Sequence, residues 1–252
     1  MLTDPVFLAL TAIAVSLIGI SKGGFAGGLA MLGVMLISLH VDPRLAAAVT
    51  LPLLCIADAA TVWAYRGQWH WGHLKVLLIG GAVGVAIGAL TFDYVSEPVM
   101  RLIVGGTGLL FFASRLVMPK LAGAADAAPS LTGGGVWGAL AGFTSFTAHA
   151  GGPPVQLYLL PRKLDKTEYQ ATVTALFTAI NLMKVGPYVW LGQLTREVLL
   201  TALVFAPLAA ASVWFGRWLH QRVDERIFYM IANVALVATC VKLLLDGLRG
   251  IL

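Results

Sequence analysis

The run Gly142-Phe143-Thr144-Ser145-Phe146-Thr147-Ala148-His149-Ala150-Gly151-Gly152-Pro153-Pro154 concentrates the groups best able to do chemistry in this chain. It places one imidazole, one serine hydroxyl and two threonine hydroxyls beside a Gly-Gly-Pro-Pro sequence. That sequence cannot continue a helix: glycine loses the most backbone entropy there, and proline lacks the N–H and clashes with the preceding turn. The surroundings are apolar, with 59% hydrophobic and 12% charged residues, against roughly 25% charged in soluble domains. A water-soluble globule is thereby excluded. In hydrocarbon a helix break is tolerated only inside protein or beside a water-filled cavity. A polar break at membrane depth is the pattern of a transport site.

Further along lie Asn181 and Lys184, midway through an apolar segment, where an ammonium costs about 2.5–3.5 kcal/mol on insertion scales. Two readings fit Lys184: a positive charge facing a substrate cavity, or a structural partner of Asp58, which sits midway through another apolar segment. His149 can cap a half-helix through its ring, donate to an oxyanion, or relay a proton near neutral pH. Ser21, Thr144, Ser145 and Thr147 are each expected only to bond back to their own helix carbonyls. Helix N-termini exposed after a break carry unpaired N–H groups and a positive dipole end. Gly28, Gly151 and Gly152 would let an anion approach such backbone closely. The candidate binding set is therefore Lys22, Gly28, His149, Gly151, Gly152, Asn181 and Lys184, with His149 and Asp58 as the titratable candidates for coupling.

An earlier stretch, Gly19-Ile20-Ser21-Lys22-Gly23-Gly24-Phe25-Ala26-Gly27-Gly28, repeats the glycine-rich break, and Lys22 at its tip reads either as a site cation or as an interface group. Aligned on the two breaks, Asp42 falls opposite Asp165, Asp58 opposite Asn181, and Tyr65-Arg66-Gly67-Gln68 opposite Trp190-Leu191-Gly192-Gln193, at offsets of 123 to 125 residues. The pattern predicts an internal duplication.

The elements that position these groups read as an all-α integral membrane protein. Residues 6–20 are apolar but short, about 22 Å at 1.5 Å per residue, less than the ~30 Å hydrocarbon core. With the shorter run 29–39 they predict a broken re-entrant hairpin over 6–39, closed by Asp42 as N-cap and Pro43 at the first helical position. Spans are expected at about 44–65, 74–92 and 99–118, the second with Gly80, Gly84 and Gly88 spaced for close packing. A linker over 119–130 leads to a second hairpin, 131–161, and spans at about 167–191, 196–218 and 226–245, with Gly186-Pro187 as a kink. The two halves are then residues 1–118 and 131–252.

Charge orients them. With both hairpins returning to their own side, one face holds Arg66, Lys75, Arg115, Lys120, Arg162, Lys163, Lys166, Arg217, Arg222 and Arg226, ten basic residues, and the other Arg44, Arg101, Arg196, Lys242 and Arg249, five. The positive-inside rule makes the first face cytoplasmic. One hairpin plus three spans is an odd number of crossings, so the halves are inverted repeats with both termini outside. The net charge of +5 lies in loops that orient helices, not in a nucleic-acid surface. Cys55 and Cys240 fall within apolar segments and are expected as buried thiols. The start, Met1-Leu2-Thr3-Asp4-Pro5, lacks a basic n-region and does not read as a cleaved signal peptide.

Lys22-Gly23-Gly24-Phe25-Ala26-Gly27-Gly28-Leu29-Ala30-Met31-Leu32-Gly33-Val34 and, above all, Ala148-His149-Ala150-Gly151-Gly152-Pro153-Pro154 resemble the TauE/SafE sulfite exporter family. Tyr158-Leu159-Leu160-Pro161, Leu164-Asp165-Lys166-Thr167, Asn181, Lys184, Pro187-Tyr188 and Gly192 extend the resemblance over essentially the whole chain. It implies a transporter of small anions, typically sulfite, organosulfonates and related sulfur compounds. One departure is Met35, where the family pattern leads one to expect proline, so a gentler first kink is expected.

Three classes compete. An intramembrane enzyme is disfavoured: no His/Glu/Asp cluster has metal-ligand spacing, no Gly-x-Ser-x-Gly occurs, and the acids other than Asp58 sit in loops. A secondary carrier in the inner (cytoplasmic) membrane, working by alternating access in the direction of export, is the leading reading. The alternatives are an anion channel and an uptake permease for a small carboxylate or other anion. No cofactor is expected. The expected partners are a small anionic substrate and the bilayer, with a homodimer left open. Single cysteines introduced at positions 163 and 195 should label from opposite sides of the membrane; labelling of both from one side would contradict this topology.

Overall fold

The structure, a computed structural model, describes residues 2–24, 31–117, 129–162, 164–220, 222 and 225–251. Gly28, Lys163 and most of the expected linker lie outside them. The described residues form an all-helical chain: α1 (Pro5–Gly24), α2 (Met31–Ile37), α3 (Pro43–Ala64), α4 (Trp71–Thr91), α5 (Glu97–Val117), α6 (Leu131–Ala148), α7 (Gly152–Leu159), α8 (Lys166–Trp190), α9 (Arg196–His220) and α10 (Glu225–Arg249). Residues Pro5–Gly23, Pro43–Trp63, Trp71–Tyr94 and Arg196–Leu219 are long and apolar enough to cross a bilayer.

Helix starts follow the capping residues. Asp42 Oδ1 accepts from Arg44 N at 2.7 Å ahead of α3, and Asp165 Oδ1 accepts from Thr167 N and Glu168 N at 2.8 and 3.0 Å ahead of α8. Each carboxylate takes up amides that the first helical turn leaves unpaired.

α1 runs further than expected. Its 20 residues reach about 30 Å, because Gly19 and Gly23 stay helical instead of ending the helix. Both face α9 so closely that a Cβ at Gly23 would fall inside the carbonyl of Val213, and one at Gly19 inside the side chain of Ser212. Here glycine serves packing, and tertiary contact overrides its low helix propensity. α2 and α7 have 7 and 8 residues, about 10–12 Å, too short to cross.

Both short helices fold back on the long helix before them. His40, after α2, pairs with Asp4, ahead of α1, through Nε2 and Oδ2 at 2.7 Å. The His40 ring and the first amides of α1 hold the Asp4 carboxyl below its usual range. At the second hairpin, Tyr158 near the end of α7 reaches Gly134 in the first turn of α6. α8 passes through Gly186-Pro187 as one continuous helix.

α3 lies at the centre, with Ala46, Ala47, Ala48, Val49 and Leu51 all fully enclosed. It packs on α8 and α9, while α1 packs on α9, α6 on α4, and α5 on α10. Met35 is buried, 3.7 Å from the Cys240 sulfur. Cys240 is buried as expected, whereas Cys55 is partly exposed.

The glycine face of α4 is where α6 docks. A Cβ at Gly80 or Gly84 would fall inside the backbone carbonyls of Gly135 and Ala139, and one at Gly88 would lie 2.8 Å from Phe146 Cβ. The opposite face presents Ile79, Val83, Ile87 and Leu90 outward, as a lipid-facing stripe would. Gly84→Leu should therefore cost about 3 kcal/mol or more, at or beyond the upper end for overpacked sites. Gly106→Leu, at a position with no neighbour within 4 Å, should change stability by less than about 0.5 kcal/mol. Unfolding in mixed detergent micelles reads both; equal effects would remove the packing argument.

Candidate functional site

α6 ends where His149 turns left-handed (φ 49°, ψ 29°), the sole non-glycine positive φ among the described residues. Histidine is among the side chains that tolerate this region. The turn satisfies the helix end: His149 N–H donates to Ser145 O and Ala150 N–H to Thr144 O, both at 3.1 Å. It also swings the imidazole inward, against α3 and α8.

There it meets Lys184, which is 0% exposed. The Lys184 ammonium donates to Ser145 O at 3.0 Å, Ser145 Oγ at 3.0 Å and His149 Nδ1 at 2.6 Å. Three N–H bonds thus meet three acceptors, the full capacity of an ammonium. The opposite ring nitrogen, His149 Nε2, lies 3.0 Å from Ala47 O. A carbonyl only accepts, so Nε2 carries the proton and Nδ1 offers its lone pair to lysine. Both ring nitrogens are engaged. Tyr188 closes the layer, donating to Phe146 O at 2.7 Å and stacking on His149 at 6.5 Å between centroids.

A second cluster faces it. Lys22, in the last turn of α1, forms an ion pair with Asp58 Oδ1, and Asn181 Nδ2 donates to Asp58 Oδ2 at 2.6 Å. The partner that the sequence offered for Asp58 was Lys184; the structure pairs Asp58 with Lys22 and Asn181 instead. α1 continues one turn past Gly19, and that turn carries Lys22 to α3.

Lys22, Met31, Asp58, Thr61, Ser145, His149, Gly152, Gln170, Thr174, Phe177 and Asn181 share one cavity wall, around about 590 Å³ with the open mouth included. The described ends of both hairpins therefore border the same space. Lys184 stands behind the wall, screened by Ser145 and His149. Gly152 is on it, and Gly151 packs against Ala141 O and Phe177. The N-terminus of α7 is poorer in donors than expected for an anion-binding helix end, because Pro153 and Pro154 in its first turn have no N–H. Thr144 and Thr147 bond back to Leu140 O and Phe143 O at 2.7 and 3.2 Å, as expected.

Ser145, by contrast, is an acceptor for Lys184, a role its sequence gave no reason to single out. Thr61, Gln170, Thr174 and Phe177 were missed for the same reason. Each is an ordinary helix residue until packing turns it to the cavity. No group of three or more His, Cys, Asp or Glu able to hold a metal occurs among the described residues.

The site holds two amines, Lys22 and Lys184, against one carboxylate, Asp58. Lys184 has no carboxylate among its hydrogen-bond partners. Such an arrangement is costly alone and can take up an anion.

Lys184 is also a strut. From sequence, Lys184→Gln is expected to stop transport with near-normal folding; its three contacts revise the second half of that expectation. Lys184→Gln should lower stability by about 1–3 kcal/mol, as acceptors are left unpaired. Lys184→Arg should fare no better, because a planar guanidinium does not match an enclosed three-acceptor socket. Wild-type unfolding midpoints in both variants would refute the strut.

The sulfite exporter TauE/SafE family model matches residues 8–243. A probable sulfite/organosulfonate exporter TauE from Cupriavidus necator is 23% identical over 198 residues, covering 77% of this chain and 76% of that protein. No solved structure matches. The family consists of transporters, not enzymes, and with several apolar helices the chain is a multi-pass membrane protein. From a family match that spans nearly its whole length, the chain belongs to the sulfite exporter TauE/SafE family.

Proposed function

We propose that this protein is a secondary transporter that exports a small oxyanion, such as sulfite or an organosulfonate, across the cytoplasmic (inner) membrane by alternating access. The observation that carries the reading is the cluster of Lys22, Lys184 and Asp58, two amines to one carboxylate, beside a cavity bordered by both hairpin ends. The name of the Cupriavidus relative agrees with a sulfur oxyanion.

Helix packing supports two repeats related by a two-fold axis, the relation that the charge pattern reads as inverted. Under the duplication, α1 corresponds to α6, α3 to α8, α4 to α9 and α5 to α10. α1 packs on α9 as α6 packs on α4, while α3 meets α8 and α5 meets α10. A two-fold axis between the halves yields this pattern. Asp58 touches Asn181, its own counterpart, as residues beside such an axis do.

Alternating access is supported by unequal ends. The cavity reaches Thr61 and Gln170, about one turn from the end of α3 and the start of α8, toward the face with the basic loops. On the other side Phe92, Phe146 and Tyr188 pack with centroids 5.0–6.0 Å apart. Arg44 covers Phe92 at 5.4 Å and donates to Phe92 O and Val95 O. We assign substrate contact to Lys22, Asn181, Gly152 and the His149 region, and coupling to Asp58 and His149. His149 can carry a proton only after Lys184 lets go of Nδ1.

Proteoliposomes loaded with unlabelled sulfite should accumulate external labelled sulfite faster than empty ones. A carrier shows this trans-acceleration. Labelled uptake indifferent to internal sulfite would indicate a channel, and no uptake of sulfite or of ethanesulfonate would remove the oxyanion reading.

A further inference from the structure

Resting on the transport reading, we infer that the Asp58 carboxylate is a built-in occupant of the anion position, holding Lys22 and Asn181 until a substrate oxyanion displaces it from both. The geometry has three parts. Asp58 uses both oxygens, Oδ1 toward the Lys22 ammonium and Oδ2 toward the Asn181 amide at 2.6 Å. Two oxygens on one centre, one facing a cation and one facing a neutral donor, is the bite that a carboxylate shares with a sulfonate or sulfite. Lys22, Asp58 and Asn181 all border the cavity, so a solute reaching that wall meets all three.

Of the two lysines, Lys184 cannot serve the solute directly. It is enclosed and its three N–H bonds are filled. Lys22 is the cation on the cavity wall, and Asp58 already holds it. Substrate must therefore compete with an internal carboxylate that is tethered to α3 and cannot diffuse away.

The charge count explains why such a competitor is useful. With Asp58 ionised, the Lys22 ammonium on the cavity wall is already paired. Without Asp58 it would stand as an unpaired cation in a largely apolar wall, where electrostatic attraction is strong. An anion bound to that centre would leave slowly. A transport site must bind well enough to be entered and weakly enough to be left. Asp58 sets that balance by reclaiming Lys22 as the substrate departs, so it acts as a positioning and affinity-setting residue.

The test measures equilibrium binding of labelled sulfite, and its competition by ethanesulfonate, to the full chain purified in detergent. Asp58→Asn keeps the shape of the side chain and removes its charge. Sulfite should bind this variant at least tenfold more tightly than wild type, and the double variant Lys22→Gln, Asp58→Asn should lose the gain. A structural counterion would instead leave affinity equal or weaker in Asp58→Asn while wild type still binds; that result overturns displacement and leaves the transport reading standing. Binding of neither probe by wild type or by folded Asp58→Asn overturns both. Should Asp58→Asn fail to fold, infrared difference spectra of wild type decide: added sulfite must shift a carboxylate stretching band, and an unmoved band overturns the inference.

Discussion

An ammonium enclosed in an apolar core needs three acceptors, and intact helices have few to spare, since their carbonyls are committed to the ladder. Lys184 on α8 solves this by facing a helix that ends. The break after Ala148 turns His149 left-handed and brings its Nδ1 to the lysine, while Ser145 offers its hydroxyl and the second lone pair of a carbonyl that already accepts from His149 N–H. Removing the break would remove the His149 acceptor and leave Lys184 with Ser145 alone. Lysine and broken helix are thus mutually dependent, and the rest of the fold serves to press α6, α3 and α8 together around them.

That pressing depends on small residues. Between apolar helices in lipid the driving force is close packing, which backbones achieve only where side chains are absent. α4 meets α6 through Gly80, Gly84, Gly138 and Gly142, and α1 meets α9 through Gly19, Gly23 and Gly216. α6 and α1 are the long arms of the two hairpins. Each is clamped by a glycine seam to a helix of the other half, which fixes the height at which Ser145, His149 and Lys22 stand beside α3.

Much of this was legible in sequence because it rests on local rules. Asp42 caps as expected, the helix breaks just before Gly151-Gly152-Pro153-Pro154, and Gly80, Gly84 and Gly88 line one face. What was not legible depends on partners far along the chain. Gly19 and Gly23 look like a break but lie inside α1, because α9 sits against them. That extension moves Lys22 to Asp58, so the pairing read as Asp58 with Lys184 goes elsewhere. Lys184 was expected on the cavity wall and stands behind it, since only the folded chain shows Ser145 and His149 in between.

The central claim is that Lys22 and Asn181, released by Asp58, hold the transported anion. Crystals of the protein soaked with selenite, a heavier analogue of sulfite with usable anomalous scattering, test it directly. The account predicts one anomalous peak inside the cavity within hydrogen-bonding reach of Lys22 Nζ and Asn181 Nδ2, with Asp58 moved off both. Peaks confined to the basic loops, with Lys22 still paired to Asp58 at saturating selenite, would contradict it.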